Sequence, residues 1–192
     1  SAMWSKYLIP NFSHRIVVAD DYGRCKGVNQ AIISASQAQV VQIVSLLANK
    51  ISSTHIKSLL AKAPHIKHSL HLNLVEGKPT SAPSQIPSLL NSHGTFYPLP
   101  IFLARVFLGL INFRHVSLEI RNQIKLLQSL NLKITHIDSH QHTHLFPPLW
   151  AITVRLARQF NIDYVRSRSS IHHALKSHLH KYLAHWPIFW LM

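Results

Sequence analysis

Short apolar runs of strand character alternate about five times with stretches whose apolar residues recur at helical spacing. Residues 15–19 (RIVVA), 40–47 (VVQIVSLL), 68–74 (HSLHLNL), 133–138 (KITHID) and 162–166 (IDYVR) read as strands. Between the first two, Val28, Ala31, Ile32 and Ala35 share a helical face, and Ile56, Leu59, Leu60 and Ala63 do so in a helix that Ser53 would cap. The segment 79–100 is proline-rich and aperiodic, so it reads as a long loop. A helix near 101–110 follows, then a clearer one with Val116, Ile120, Ile124 and Leu127 inward. A last clear helix at 147–160 turns Leu149, Ile152 and Leu156 inward. Alternation of this kind implies α/β architecture: a parallel sheet with helical crossovers, open or barrel-like. About five strands fall short of the eight in a closed (β/α)₈ barrel, so an incomplete or open barrel-like domain is expected.

The 192 residues suffice for one domain with one sizeable core. A single domain over 1–192 is expected, with Ser1-Ala2 ahead of Met3 as an expression scar and 167–192 as a divergent, basic, His-rich and helical C-terminal segment. No apolar run has the length of a transmembrane helix; 101–111 is broken by Arg105 and 187–192 is too short. No basic segment followed by an apolar core opens the chain. The single cysteine, Cys25, excludes an internal disulfide, and a cytoplasmic protein is expected. The net charge of +14 comes from scarce acids, 6 against 20 bases. The bases are scattered and no nucleic-acid motif is present, so no nucleic-acid partner is expected; 166–181 is the best support for one.

Parallel sheets place their ligands at the carboxyl ends of the strands. Asp20-Asp21 follow the first strand directly, and two adjacent carboxylates need a metal ion or a shared proton between them, unless they simply form an Asx-type turn. His71 stands with Ser69 and Asn73 opposite Leu70, Leu72 and Leu74; an isolated histidine there is ordinarily a hydrogen-bonded core residue. Glu76 reads as a loop residue. The stretch HIDSHQHTHLFP puts His136, Asp138, His140, His142 and His144 at one parity, so an extended chain would line them along one side. One or two of these imidazoles would be ligands, with the others orienting them or touching substrate; the alternative is a His-rich surface loop. Arg166 follows the last strand and would hold a carboxylate or orient Asp20. One aspartate and two histidines form a set that leaves positions open for water and substrate, which is coordination of the catalytic type. No G-x-S-x-G, P-loop or dinucleotide fingerprint is present.

Taken together, VVADDYGRCKGVNQAI, SLHLNLVEGKP and THIDSHQHTHLFP resemble the signature motifs of the YdjC-like (ChbG-type) carbohydrate deacetylases, and LARQFNIDYVRSR resembles that family's next segment. The resemblance covers about residues 15–168. It implies a (β/α)-barrel-like domain that removes the acetyl group from an N-acetylated sugar, often a chito-oligosaccharide. It further implies that Asp21, His71 and His140 bind one divalent ion, Mg or Zn, and that Asp20 is the general base. His142, or else His144, would protonate the leaving amine; Arg166, His144 and Asn73 are the candidate substrate-binding residues. Members of that family are usually longer and carry a late histidine-proline-glycine motif that this chain lacks. A second reading follows from that departure: a shortened, catalytically impaired deacetylase-like domain with a metal- or sugar-binding or assembly role. Open sheet edges would then be covered by a homo-oligomer.

Overall fold

The computed structural model describes residues 16–167. Five strands form one parallel sheet: β1 (Val18–Tyr22), β2 (Ile43–Leu46), β3 (Lys67–Leu72), β4 (Ile134–Ser139) and β5 (Tyr164–Val165). They lie side by side in sequence order. The intervening helices are α1 (Lys26–Gln37), α2 (Ser53–Lys62), α3 (Leu99–Phe107), α4 (Phe113–Ser129) and α5 (Pro147–Gln159). Crossovers between sequential parallel neighbours are ordinarily right-handed, and a run of them winds a sheet in the manner of a barrel. The sheet is open, since β1 and β5 each have one strand neighbour among the described residues. No described helix is long and apolar enough to cross a membrane.

Period-two alternation then divides the sheet. Val44, Leu46, Leu70, Leu72 and Ile137 are fully buried and join the core beneath the helices. Val116, Ile120, Ile124 and Leu127 of α4 and Leu149 and Leu156 of α5 pack there too, each with no exposed surface. Ser45, Ser69, His71 and Asp138 have the opposite parity and hydrogen-bond to one another across the other face. One face of the sheet therefore builds the core, and the other is a polar stripe.

Several boundaries differ from the sequence reading. The first strand begins at Val18 and runs through both aspartates instead of ending before them. Ser52, not Ser53, caps α2: its hydroxyl accepts from the His55 backbone N–H while the His55 ring accepts from the Ser52 N–H. The proline-rich 79–100 segment contains two short 3-10 turns, Pro83–Gln85 and Pro87–Leu89, and is anchored from below. The anchor is Glu119 of α4, fully buried, whose carboxylate accepts the N–H groups of Thr80 and Ser81 at 2.9 Å each. Arg15, which the sequence reading put in the first strand, and the C-terminal segment expected to be helical beyond Ser167 lie outside the described residues.

Candidate active site

Side chains alternate along a strand, so Asp20 and Asp21 should point to opposite faces. They do not, because the β1–β2 register shifts between Ala19 and Tyr22 and Asp21 adopts φ 69°. A bulge of this kind re-aims a side chain, and here it brings two successive carboxylates to the same strand end. The chain then turns at Gly23, whose N–H donates to Asn29 Oδ1 at 2.7 Å. Gly23 has φ +104°, and a Cβ there would meet Ile51 Cγ2 at 2.6 Å, so only glycine fits this turn.

Asp21 is the meeting point of two histidines. Its Oδ1 lies 3.2 Å from His71 Nε2 and 2.9 Å from His140 Nδ1. The other nitrogen of each ring faces a further carboxylate. His71 Nδ1 is 2.6 Å from Asp138 Oδ1, and His140 Nε2 is 2.8 Å from Glu76 Oε2. Glu76 is in turn paired with Lys50, and Asp138 accepts from Ser45 Oγ. Arg166 completes the site, with its terminal nitrogens holding Asp20 at 2.9 and 3.0 Å and Asp138 at 3.0 Å.

The charges follow from these contacts. The hydrogen bond with His71 holds the Asp21 carboxyl far below the ordinary range, against the opposing effect of burial. Burial alone would lower the His71 pKa, but its bonds to Asp138 and Asp21 carry it up to about 9. Burial would raise Asp138, yet His71, Arg166 and Ser45 keep it ionised. At neutral pH an imidazolium thus sits between two carboxylates, where positive charge is strongly favoured.

The ligand atoms of Asp21, His71 and His140 converge within 4.8 Å of one another, two from buried rings and one from a partly exposed carboxylate. A carboxylate with two imidazoles suits a divalent ion and leaves coordination positions free. Asp20, His71 and Asp138 are also close enough to hold an ion. In that second group, however, Arg166 already bonds both carboxylates, so its guanidinium supplies the cation. The first group is the one that fits a metal.

The profile of the YdjC-like protein family matches residues 15–190. The chain belongs to this family. Among curated proteins, it is 33% identical to a carbohydrate deacetylase of Danio rerio, over 79% of this chain and 48% of that protein. It is 31% identical to a carbohydrate deacetylase of Halalkalibacterium halodurans, over 77% of this chain and 61% of the relative. It is 30% identical to a chitooligosaccharide deacetylase of Yersinia pestis, over 75% and 55% respectively. A crystal structure of a proposed cellobiose-phosphate cleavage protein from Enterococcus faecalis superposes with a TM-score of 0.70 at 27% identity, covering 78% of this chain and 57% of that one. The chain thus spans about half of the first of these relatives and about three-fifths of the second.

In this YdjC-like chain the histidine-rich stretch does not stay extended. β4 ends at Ser139, a 3-10 turn begins at His140, and Gln141 and His142 take left-handed φ values of 53° and 55°. The common parity of the five residues therefore ends with the strand. His136 stacks on Tyr164 with ring centroids 4.8 Å apart. His140 turns to Asp21, and His142 stands exposed on the turn. Partial desolvation by the surrounding chain and the nearby Arg166 push the His142 pKa down. His144 folds back and is fully buried, bonded to Ser139 Oγ and, through Nε2, to the Arg166 carbonyl at 2.8 Å.

Two expectations do not fit this placement. The sequence points Asn73 and His144 at substrate, but both are fully buried with their polar atoms spent inside the fold. The Asn73 amide donates to Asn49 Oδ1 and the Glu76 carbonyl and accepts from the Val75 and Glu76 N–H groups. It shapes the loop that carries Glu76, and His144 pins the turn that carries His140. Conversely, Glu76 is more than the loop residue expected, since it holds His140. Asp138 and Ser45 received no role of their own from the sequence, yet both bond His71.

Proposed function

We propose that this chain is a metal-dependent carbohydrate deacetylase that hydrolyses the acetamide of an N-acetylated sugar, a chito-oligosaccharide being the leading substrate. The observation that carries this reading is the β1 bulge, which sets the proposed ligand carboxylate, Asp21, beside a second carboxylate, Asp20, that Arg166 holds by both its oxygens. Asp21, His71 and His140 are the residues that would hold one divalent ion, Mg or Zn. Such an ion supplies Lewis acidity, making water more acidic and an amide carbonyl more electrophilic.

The chain's own groups do the rest. Asp20 accepts a proton from the attacking water, and its bidentate pairing with Arg166 fixes the direction in which it accepts. The acyl C–N bond breaks, acetate leaves, and the amine takes up a proton. His142, exposed at the turn beside the site, is the donor. Arg166 is engaged by Asp20 and Asp138, so its part in binding sugar is indirect. The names of the Danio rerio and Yersinia pestis relatives support the reaction class.

The test is acetate release from N-acetylated chito-oligosaccharides with Mg or Zn supplied. The expected result is release that a chelator abolishes and the ion restores. Release indifferent to chelation contradicts the mechanism, and metal binding without turnover on any N-acetyl sugar favours the binding-domain reading instead.

A further inference from the structure

We infer that Asp138 is a positioning residue that locks the metal ligand His71 and the base Asp20 into one unit, an inference that rests on the metal reading above. Asp138 is 2% exposed and sits in β4 as the direct register partner of His71 in β3. Strand pairing thus fixes their separation before any side chain is placed. Its Oδ1 accepts from His71 Nδ1 at 2.6 Å and from Ser45 Oγ; its Oδ2 is ion-paired with Arg166 at 3.0 Å and lies 3.5 Å from Ser69 Oγ. The same guanidinium grips both oxygens of Asp20.

Two consequences follow. Both His71 nitrogens face carboxylates, but Asp138 is the nearer at 2.6 Å and Asp21 the farther at 3.2 Å, so when the ring gives up one proton it is Nδ1 that keeps the other. The neutral ring is then held as the Nδ1–H tautomer, with the Nε2 lone pair aimed at the Asp21 side of the site, 3.2 Å from Oδ1. Asp138 in this way chooses which nitrogen of His71 is the ligand. Every polar neighbour of Asp138 is also a donor, from His71 and Ser45 on one oxygen to Arg166 and Ser69 on the other. An asparagine there must turn its NH₂ against one pair or the other. It fails either the metal ligand or the arginine that holds the base, although its shape is unchanged.

The experiment uses the full chain with zinc ion as the probe. Zinc affinity is measured by calorimetry in wild-type protein and Asp138→Asn, and the His71 ring nitrogens are read by ¹⁵N NMR. Zinc binding should weaken about 10- to 100-fold in Asp138→Asn. Zinc-loaded wild-type protein should show His71 protonated on Nδ1. The second measurement needs no variant, so it stands even if Asp138→Asn does not fold. A wild-type chain that binds no zinc defeats the metal reading itself. Unchanged zinc affinity in Asp138→Asn, or zinc-loaded His71 protonated on Nε2, overturns the role of Asp138 and leaves the metal reading standing.

Discussion

Arg166 holds Asp20 through both terminal guanidinium nitrogens, at 2.9 and 3.0 Å, across 146 residues of sequence. A planar fork on a carboxylate fixes its orientation as well as its charge. The pair is partly exposed, at 19% and 37%, so its value lies in geometry more than in stability. Arg166→Gln should therefore lower kcat at least about 10-fold while leaving KM and zinc stoichiometry close to wild type. Steady-state kinetics of acetate release check this; lost zinc with unchanged kcat on the loaded fraction would place Arg166 in the metal site instead.

Asp20→Asn keeps the shape of the proposed base and removes its basicity. Activity should fall by about 10²- to 10⁴-fold, the range that a positioned general base contributes. Metal content should persist, because Asp20 is not one of the three converging groups Asp21, His71 and His140. Full activity in Asp20→Asn would show that another group takes the proton.

The strand and helix framework was legible because it rests on periodicity. The α4 face of Val116, Ile120, Ile124 and Leu127 is buried as its spacing requires, and the alternation in β3 separates Leu70 and Leu72 from His71. What local pattern could not show was where pattern breaks. The β1 bulge depends on pairing with β2, and the left-handed turn at Gln141–His142 ends the parity on which the histidine cluster was aligned. The roles of Glu76 and Asp138 depend on register between strands distant in sequence, and no spacing within one segment encodes that register.

Against the lowering effect of burial, Asp138 and Asp21 push the His71 pKa from about 6.5, its ordinary value in an unfolded chain, up to about 9 in the fold. Its protonated form binds the fold more tightly, so its contribution to stability is fully present below about 6.5 and is lost as pH rises through about 9. Chelator-treated protein should thus lose stability between neutral pH and pH 9 or above, and His71→Gln should flatten that part of the profile. The proton must leave His71 Nε2 before an ion binds, so apparent metal affinity should climb over the same interval. Denaturant melts and zinc titrations at a series of pH values test both.

Glu119→Ala removes the acceptor for the Thr80 and Ser81 N–H groups and for Gln123 Nε2 beneath the 79–100 loop. Unpaired buried donors should cost about 2 kcal/mol or more, read as a lowered Tm and faster proteolysis in that loop. Zinc affinity should change little, since Glu119 touches none of Asp21, His71 or His140. A wild-type Tm would show that water replaces the carboxylate at no cost.

Gly23→Ala tests the turn that follows the two aspartates. The left-handed φ and the 2.6 Å approach to Ile51 Cγ2 both oppose a Cβ. Loss of at least about 1 kcal/mol is expected by denaturant unfolding. An unchanged midpoint would mean that the turn relaxes without strain.

The central claim is that the β1 bulge and the turn after β4 build one metal site from Asp21, His71 and His140. The most direct measurement is the metal content of protein purified without chelator or affinity-resin metal, for wild type, Asp21→Ala and His140→Ala. About one divalent ion per wild-type chain, lost in both variants, is the predicted result. No ion in the wild type, or an ion that both variants retain, would contradict it.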